Sequence, residues 1–192
     1  QTVTVTGVDD GFVDGTITST ITIAVDDANS DDDFDTVADQ TVSVDTVDDD
    51  VAGFTVEETD GSTEVDESGS TDIFTVVLDA QPTLDVVLTI TSESTTEASV
   101  NPSSITFTSE NWDTPQTVTV TGVDENVVDG DQTTNITIAI LDTASDDNFD
   151  ALADQTVSVD TLDDDVAGFT IEETDGSTEV DESGSTDIFT VV

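Results

Sequence analysis

Lysine, arginine and histidine are absent from this chain, as are cysteine, methionine and tyrosine. Without basic side chains there is no cationic patch to meet a phosphate backbone or an anionic lipid surface. Nucleic acid and direct binding to anionic membranes are therefore excluded as partners. Without cysteine there is no disulfide, thiolate metal site or thiol nucleophile; without lysine there is no lysine–asparagine isopeptide bond and, with arginine also missing, no trypsin site. Catalysis is left with carboxylates alone. A pair of carboxylates can cleave a glycoside, but the densest acids here are crowded side by side, and no aromatic sugar platform accompanies them. The chain is expected not to be an enzyme. No apolar run approaches the roughly 18 residues of a membrane helix, and no signal peptide is visible. With no methionine, Gln1 is expected not to be a natural start.

What the chain does have is acid. Of 192 residues 47 are Asp or Glu, giving a formal charge of −47. A chain that repels itself this strongly tends towards disorder. Yet 34% of the residues are hydrophobic, and they alternate regularly. The expectation is a folded protein that needs cations, either bulk salt or bound metal, to tolerate its own charge.

An internal repeat sets the organisation. QTVTVTGVDDGFVDG at Gln1 returns as QTVTVTGVDENVVDG at Gln116, and Gln1–Val77 aligns without a gap to Gln116–Val192, with 61 of the 77 positions identical. The offset of 115 residues suits one domain per repeat rather than a solenoid unit. The run Asp48-Asp49-Asp50-Val51-Ala52-Gly53-Phe54, repeated at Asp163–Phe169, marks the boundary. Residues 51–165 read as one complete repeat, 1–50 as the C-terminal part of a preceding one, and 166–192 as the start of the next. The chain is expected to be a window on a longer tandem array.

Within the complete repeat the apolar period is 2. Expected strands are Phe54–Val56 with a continuation near Thr63–Val65, then Ile73–Leu78, Val86–Ile90, Ser104–Phe107, Thr117–Val120, Asn135–Ile140 and Thr156–Val159. Val118, Val120, Ile136, Ile138, Ile140, Val157 and Val159 point inward, with threonine and serine between them. Pro102 and Pro115 fall at strand edges, where a missing N–H does little harm. Seven or so short strands over 115 residues predict an all-β, antiparallel, Ig-like β-sandwich. Trp112 is expected to seal one end beneath Phe107.

Strand alternation then places the acids. If successive strands run antiparallel, every second turn falls at the same pole. That pole collects Asp66 and Glu67, Glu93 and Glu97, then Asp124, Glu125 and Asp129, and finally Asp163, Asp164 and Asp165. Bare carboxylates converging there would repel severely. Ca²⁺, with six to eight flexible oxygen ligands, is the best remedy; Mg²⁺ prefers a tighter octahedron, and Zn²⁺ lacks its histidine and cysteine. The repeat extends the candidate ligands to Asp9, Asp10, Asp14, Asp48, Asp49 and Asp50 in the first copy and Glu182 in the last. The opposite pole, with Asp79, Asp85, Glu110, Asp113 and the loop Asp142–Asp154, would face Asp48–Asp50 of the preceding repeat. Both sides of that joint are acidic, so cations there would stiffen it. Neither an EF-hand loop nor a glycine-rich nonapeptide repeat is present. Asn135-Ile136-Thr137 matches a glycosylation sequon, but its counterpart begins with Thr20, which favours chance.

TVSVDTLDDDVAGFTIEE at Thr156–Glu173 resembles the Calx-β domains of sodium–calcium exchangers, in which a strand ends in Asp-Asp-Asp before the next domain begins. Glu67 in VDESG resembles their early acidic ligand, and Asp124, Glu125 and Asp129 in VDENVVDG resemble their acidic E–F loop. The family's Asp-Tyr ligand is missing here, and Glu97 takes its place in the candidate set. The resemblance implies several Ca²⁺ ions at one pole. FTSENWDTPQTVTVTGVD at Phe107–Asp124 also resembles repeats of giant bacterial surface adhesins and matrix proteins, which implies an extracellular extender. The expected function is a Ca²⁺-stabilised structural repeat of an adhesin stalk, surface or matrix filament. Its expected partners are the neighbouring repeats of the same chain, with other copies in a fibre conceivable through open strand edges. The alternatives are a Ca²⁺-sensing regulatory module and a halophilic surface repeat needing only monovalent salt.

Overall fold

The computed structural model describes all 192 residues. Threonine, valine and isoleucine alternate because a pleated strand buries every second side chain, and that pattern yields thirteen strands. β1 (Ile17–Ile23) and β2 (Gln40–Thr46) form an antiparallel pair. Nine strands follow: β3 (Phe54–Glu58), β4 (Thr63–Asp66), β5 (Thr71–Leu78), β6 (Val86–Ser92), β7 (Ala98–Asn101), β8 (Ser104–Phe107), β9 (Gln116–Gly122), β10 (Gln132–Ile140) and β11 (Gln155–Leu162). β12 (Ile171–Glu173) and β13 (Phe189–Val191) pair at the C-terminal end. No helix is long and apolar enough to cross a membrane.

The nine middle strands make a β-sandwich. One sheet has the order β4-β11-β10-β6-β8 and the other β3-β5-β9-β7. Between them lies a core containing Phe74, Val76, Leu88, Phe107, Val118, Ile136, Phe149 and Val157. Trp112 is half-buried against this core, and its carbonyl accepts the Leu78 N–H at 3.1 Å.

Three details differ from the sequence-based expectation. The first strand with its continuation is two strands in different sheets: β3 pairs with β5, whereas β4 crosses to β11. The turn Thr59–Ser62, with Asp60 and Gly61 both at positive φ, makes that switch. Second, the β4–β11 pairing is parallel, an exception in an otherwise antiparallel sandwich. Third, Ala98–Asn101 is a strand that the period did not reveal, because four residues give too few alternations; it closes the edge of the second sheet against β9.

Identical sequences take different states on the two sides of the repeat. Gln116–Gly122 is β9, held between β5 and β7, with Val118 and Val120 fully buried. Gln1–Gly7 has the same sequence but no strand structure, and Val3 is 75% exposed. The β1–β2 pair reproduces the β10–β11 register, Ile21 facing Val42 as Ile136 faces Val157.

Candidate metal centre

The site lies where β4 and β11 end together. Leu162 is paired with Asp66 across the parallel rung, and the Glu67 N–H donates to Leu162 O at 3.1 Å. The residues immediately beyond both strands are therefore neighbours. Gly122 fits the same corner: a Cβ there would collide with the Asp66 carbonyl, so only glycine lets β9 approach the turn that carries Glu67.

Glu67 is fully buried, and neither carboxylate oxygen has a hydrogen-bond partner. Around it stand two acidic groups, Asp163 with Asp165 and Glu125 with Asp129; in each, one oxygen per residue lies within 4.8 Å of the others, Glu67 included. Burial, reinforced by the charges of Asp163, Glu125, Asp129 and Asp165, pushes the Glu67 carboxyl above its ordinary range. Burial and the neighbouring Asp129, Glu97, Asp165 and Asp163 do the same to Glu125. Burial and then Asp163, Asp164, Asp124 and Asp129 raise Asp165, whose Oδ2 is also buried without a partner. Five carboxylates thus converge with no donor to neutralise the central one. An oxygen-only donor set of this kind suits a hard divalent ion such as Ca²⁺.

The local fold aims these groups. Asp163 Oδ2 accepts from Gly130 N at 2.7 Å and its Oδ1 from Asp165 N at 2.8 Å, which fixes the strand exit against the β9–β10 loop. The Asp163 N–H in turn donates to Asp131 Oδ1 at 3.2 Å. Asp131 is a positioning group that sequence reasoning missed: its counterpart is Thr16, so the repeat did not single it out.

Other predicted ligands take different places. Glu97 stands beside Glu125 with one buried, unpartnered oxygen, but outside the two close groups. Asp124 and Asp164 are exposed and act on Asp165 through their charge. Two further acids at this pole are occupied locally. The Asp66 carboxylate takes the Ser68 hydroxyl, and Glu93 accepts from Asn135 Nδ2 at 3.1 Å.

In the first copy Asp48 repeats the geometry of Asp163, accepting from Gly15 N at 2.7 Å and Asp50 N at 2.8 Å. Asp9, Asp10, Asp14, Asp49 and Asp50 line the same open cleft. Burial and then Asp48, Asp49, Asp9 and Asp10 raise the Asp50 carboxyl. No residue of the chain corresponds to Glu67 in this copy. Glu182 does correspond to it in the last copy but is exposed, and no acidic group closes around it.

At the opposite pole Asp146 is buried but not bare. Its carboxylate accepts from Thr83 N at 2.8 Å, Thr83 Oγ1 at 2.6 Å, Leu84 N at 2.9 Å and Asn148 N at 3.0 Å. Burial opposes its charge, but these bonds outweigh burial and hold the carboxyl below its ordinary range. It is a structural tie.

No protein-family model matches the sequence, and no curated protein is similar to it. Among solved structures, the chain is similar to domains 4 and 5 of the S-layer protein SbsC, with 22% identity over 76% of this chain and 57% of that one at a TM-score of 0.44. It is similar to the apo-form Calx CBD1 domain, with 14% identity over 58% of this chain and 98% of that domain at a TM-score of 0.38. A third likeness is to the Escherichia coli chaperone DraB, with 9% identity over 62% of this chain and 59% of the chaperone at a TM-score of 0.42.

Proposed function

We propose that the chain is a Ca²⁺-stabilised, non-catalytic structural repeat of a long extracellular protein, in which cations at the repeat poles stiffen the array. The observation that carries this reading is Glu67, buried without a partner among Asp163, Asp165, Glu125 and Asp129. Burying a carboxylate among like charges is costly, and a divalent ion converts that cost into cohesion by bridging the ends of β4 and β11 to the β9–β10 loop. The near-identity of the repeats favours repetition for length over a diverged sensor. Millimolar-range affinity is typical of extracellular Ca²⁺ modules, which accords with a site that fills outside the cell.

Thermal unfolding at fixed ionic strength in EDTA, Mg²⁺ or Ca²⁺ tests the proposal. Ca²⁺ at about 100 times Kd adds roughly 2.7 kcal/mol per independent site, so Tm rises with Ca²⁺ and much less with Mg²⁺. Superimposable curves in EDTA and Ca²⁺, with a strong response to NaCl, would replace this reading with the halophilic one.

A further inference from the structure

We infer that the β9–β10 loop of each repeat is the docking surface for the repeat that follows, and that main-chain hydrogen bonding at its tip, rather than charge alone, sets the angle between them. In the first copy this loop is seen seated. Phe12 forms a parallel bridge with Gln81: the Val13 N–H donates to Gln81 O at 3.1 Å and the Gln81 N–H to Gly11 O at 2.9 Å. Asn148 closes the other side, its Nδ2 donating to Val13 O at 2.7 Å. Val13 packs against the sandwich core, so the contact is apolar beneath and hydrogen-bonded above. The receiving turn is itself braced, with Gln81 Nε2 bonded to Ser109 O at 2.8 Å.

The second copy of the loop presents the same surface on the middle repeat. Val127 and Val128, the counterparts of Phe12 and Val13, are each 55% exposed. Their occupant is a following repeat, presenting its own counterparts of the Ala80–Gln81 turn and of Asn148. The seated first copy carries that assignment, because the same loop at the same offset already engages that turn. Backbone pairing also explains how Phe12 can give way to Val127 while Val13 recurs as Val128: the bridge needs main-chain groups and a bulky apolar side chain, not one residue type.

The hydrogen bonds of this surface use no carboxylate, although the same loop carries Glu125 and Asp129 of the metal centre, and the test separates the two contributions. The chain has no cysteine, so Ser43→Cys and Ser158→Cys, at repeat-related exposed positions, take spin labels nowhere else. Double electron–electron resonance on the full chain should give one narrow distance. Val13→Pro removes the N–H bonded to Gln81, and Asn148→Asp sets an acceptor against Val13 O. Combined, they should abolish the narrow distance, while Trp112 emission confirms that the sandwich remains folded. A broad distribution in the unaltered labelled chain, or a narrow one surviving both changes, overturns the docking surface. A narrow distance in EDTA as well as Ca²⁺, lost in the double variant, supports it even if Ca²⁺ leaves Tm unmoved and the cation reading fails.

Discussion

The main-chain N–H of Glu67 is bonded to the carbonyl oxygen of Leu162 at 3.1 Å, so the buried carboxylate and Asp163 issue from adjacent ends of two parallel strands. That one bond makes Glu67 the hub of the acidic pole. Glu67→Gln keeps the shape and removes the charge. In EDTA the variant should melt at a higher temperature than the parent, because the like-charge repulsion is gone. In Ca²⁺ it should lose most of the cation-induced rise. Differential scanning calorimetry under both conditions checks the two opposite signs, and a variant less stable in EDTA would show that Glu67 already has a partner.

The pH dependence should follow the same balance. Glu67, Glu125 and Asp165 have folded-state carboxyls raised above their ordinary values of 4.5, 4.5 and 3.8. The folded state therefore holds more protons than the unfolded one above those values, and stability rises as pH falls from neutrality through the raised range. Asp146, held below 3.8, acts in the other direction, and its contribution is lost only as pH falls through its lowered value. Without divalent ions, stability should peak in mild acid. With Ca²⁺ the slope above the peak should reverse, because protons then compete with the metal. Urea melts across pH, with and without Ca²⁺, measure both slopes.

Gly122→Ala should destabilise the sandwich by about 1–3 kcal/mol, the usual cost of overpacking, since the new methyl meets the Asp66 backbone. The damage falls on the turn that holds Glu67, so isothermal titration should also find Ca²⁺ affinity lowered. Gly7→Ala, at the repeat-related position, has only Thr46 Cγ2 nearby, at 3.9 Å, and should do neither.

The repeat offers a second internal control. Phe74 is fully buried and Phe189, its counterpart, is 54% exposed. Phe74→Ala should cost about 3–5 kcal/mol, whereas Phe189→Ala should stay within about 0.5 kcal/mol. Chemical denaturation of the two variants makes the comparison.

The long strands and the acidic pole were legible in the sequence for a common reason. Alternation over Ile136–Ile140 and Val157–Val159 fixes both the buried face and the end at which Glu125, Asp129 and Asp163 emerge. The crossing of β4 was not legible, because it depends on a two-residue turn at positive φ and on which sheet has a free edge. Nor did charge density separate Glu67 from Asp66 beside it: one side chain is buried without a partner, and the other is satisfied by serines of its own turn. The different states of Gln1–Gly7 and Gln116–Gly122 make the same point, since a strand exists only where its neighbours do.

The parallel pairing of β4 with β11 has a mechanical meaning. One strand lies near the entrance of the repeat and the other at its exit, so tension along the chain drags them in opposite directions along their shared axis. Their hydrogen bonds, from Val159 beside Thr63 to Leu162 beside Asp66, are then loaded together in shear instead of being unzipped one at a time. A bridging ion held between Glu67 and Asp163 would sit at the end of this clamp and resist the same slip.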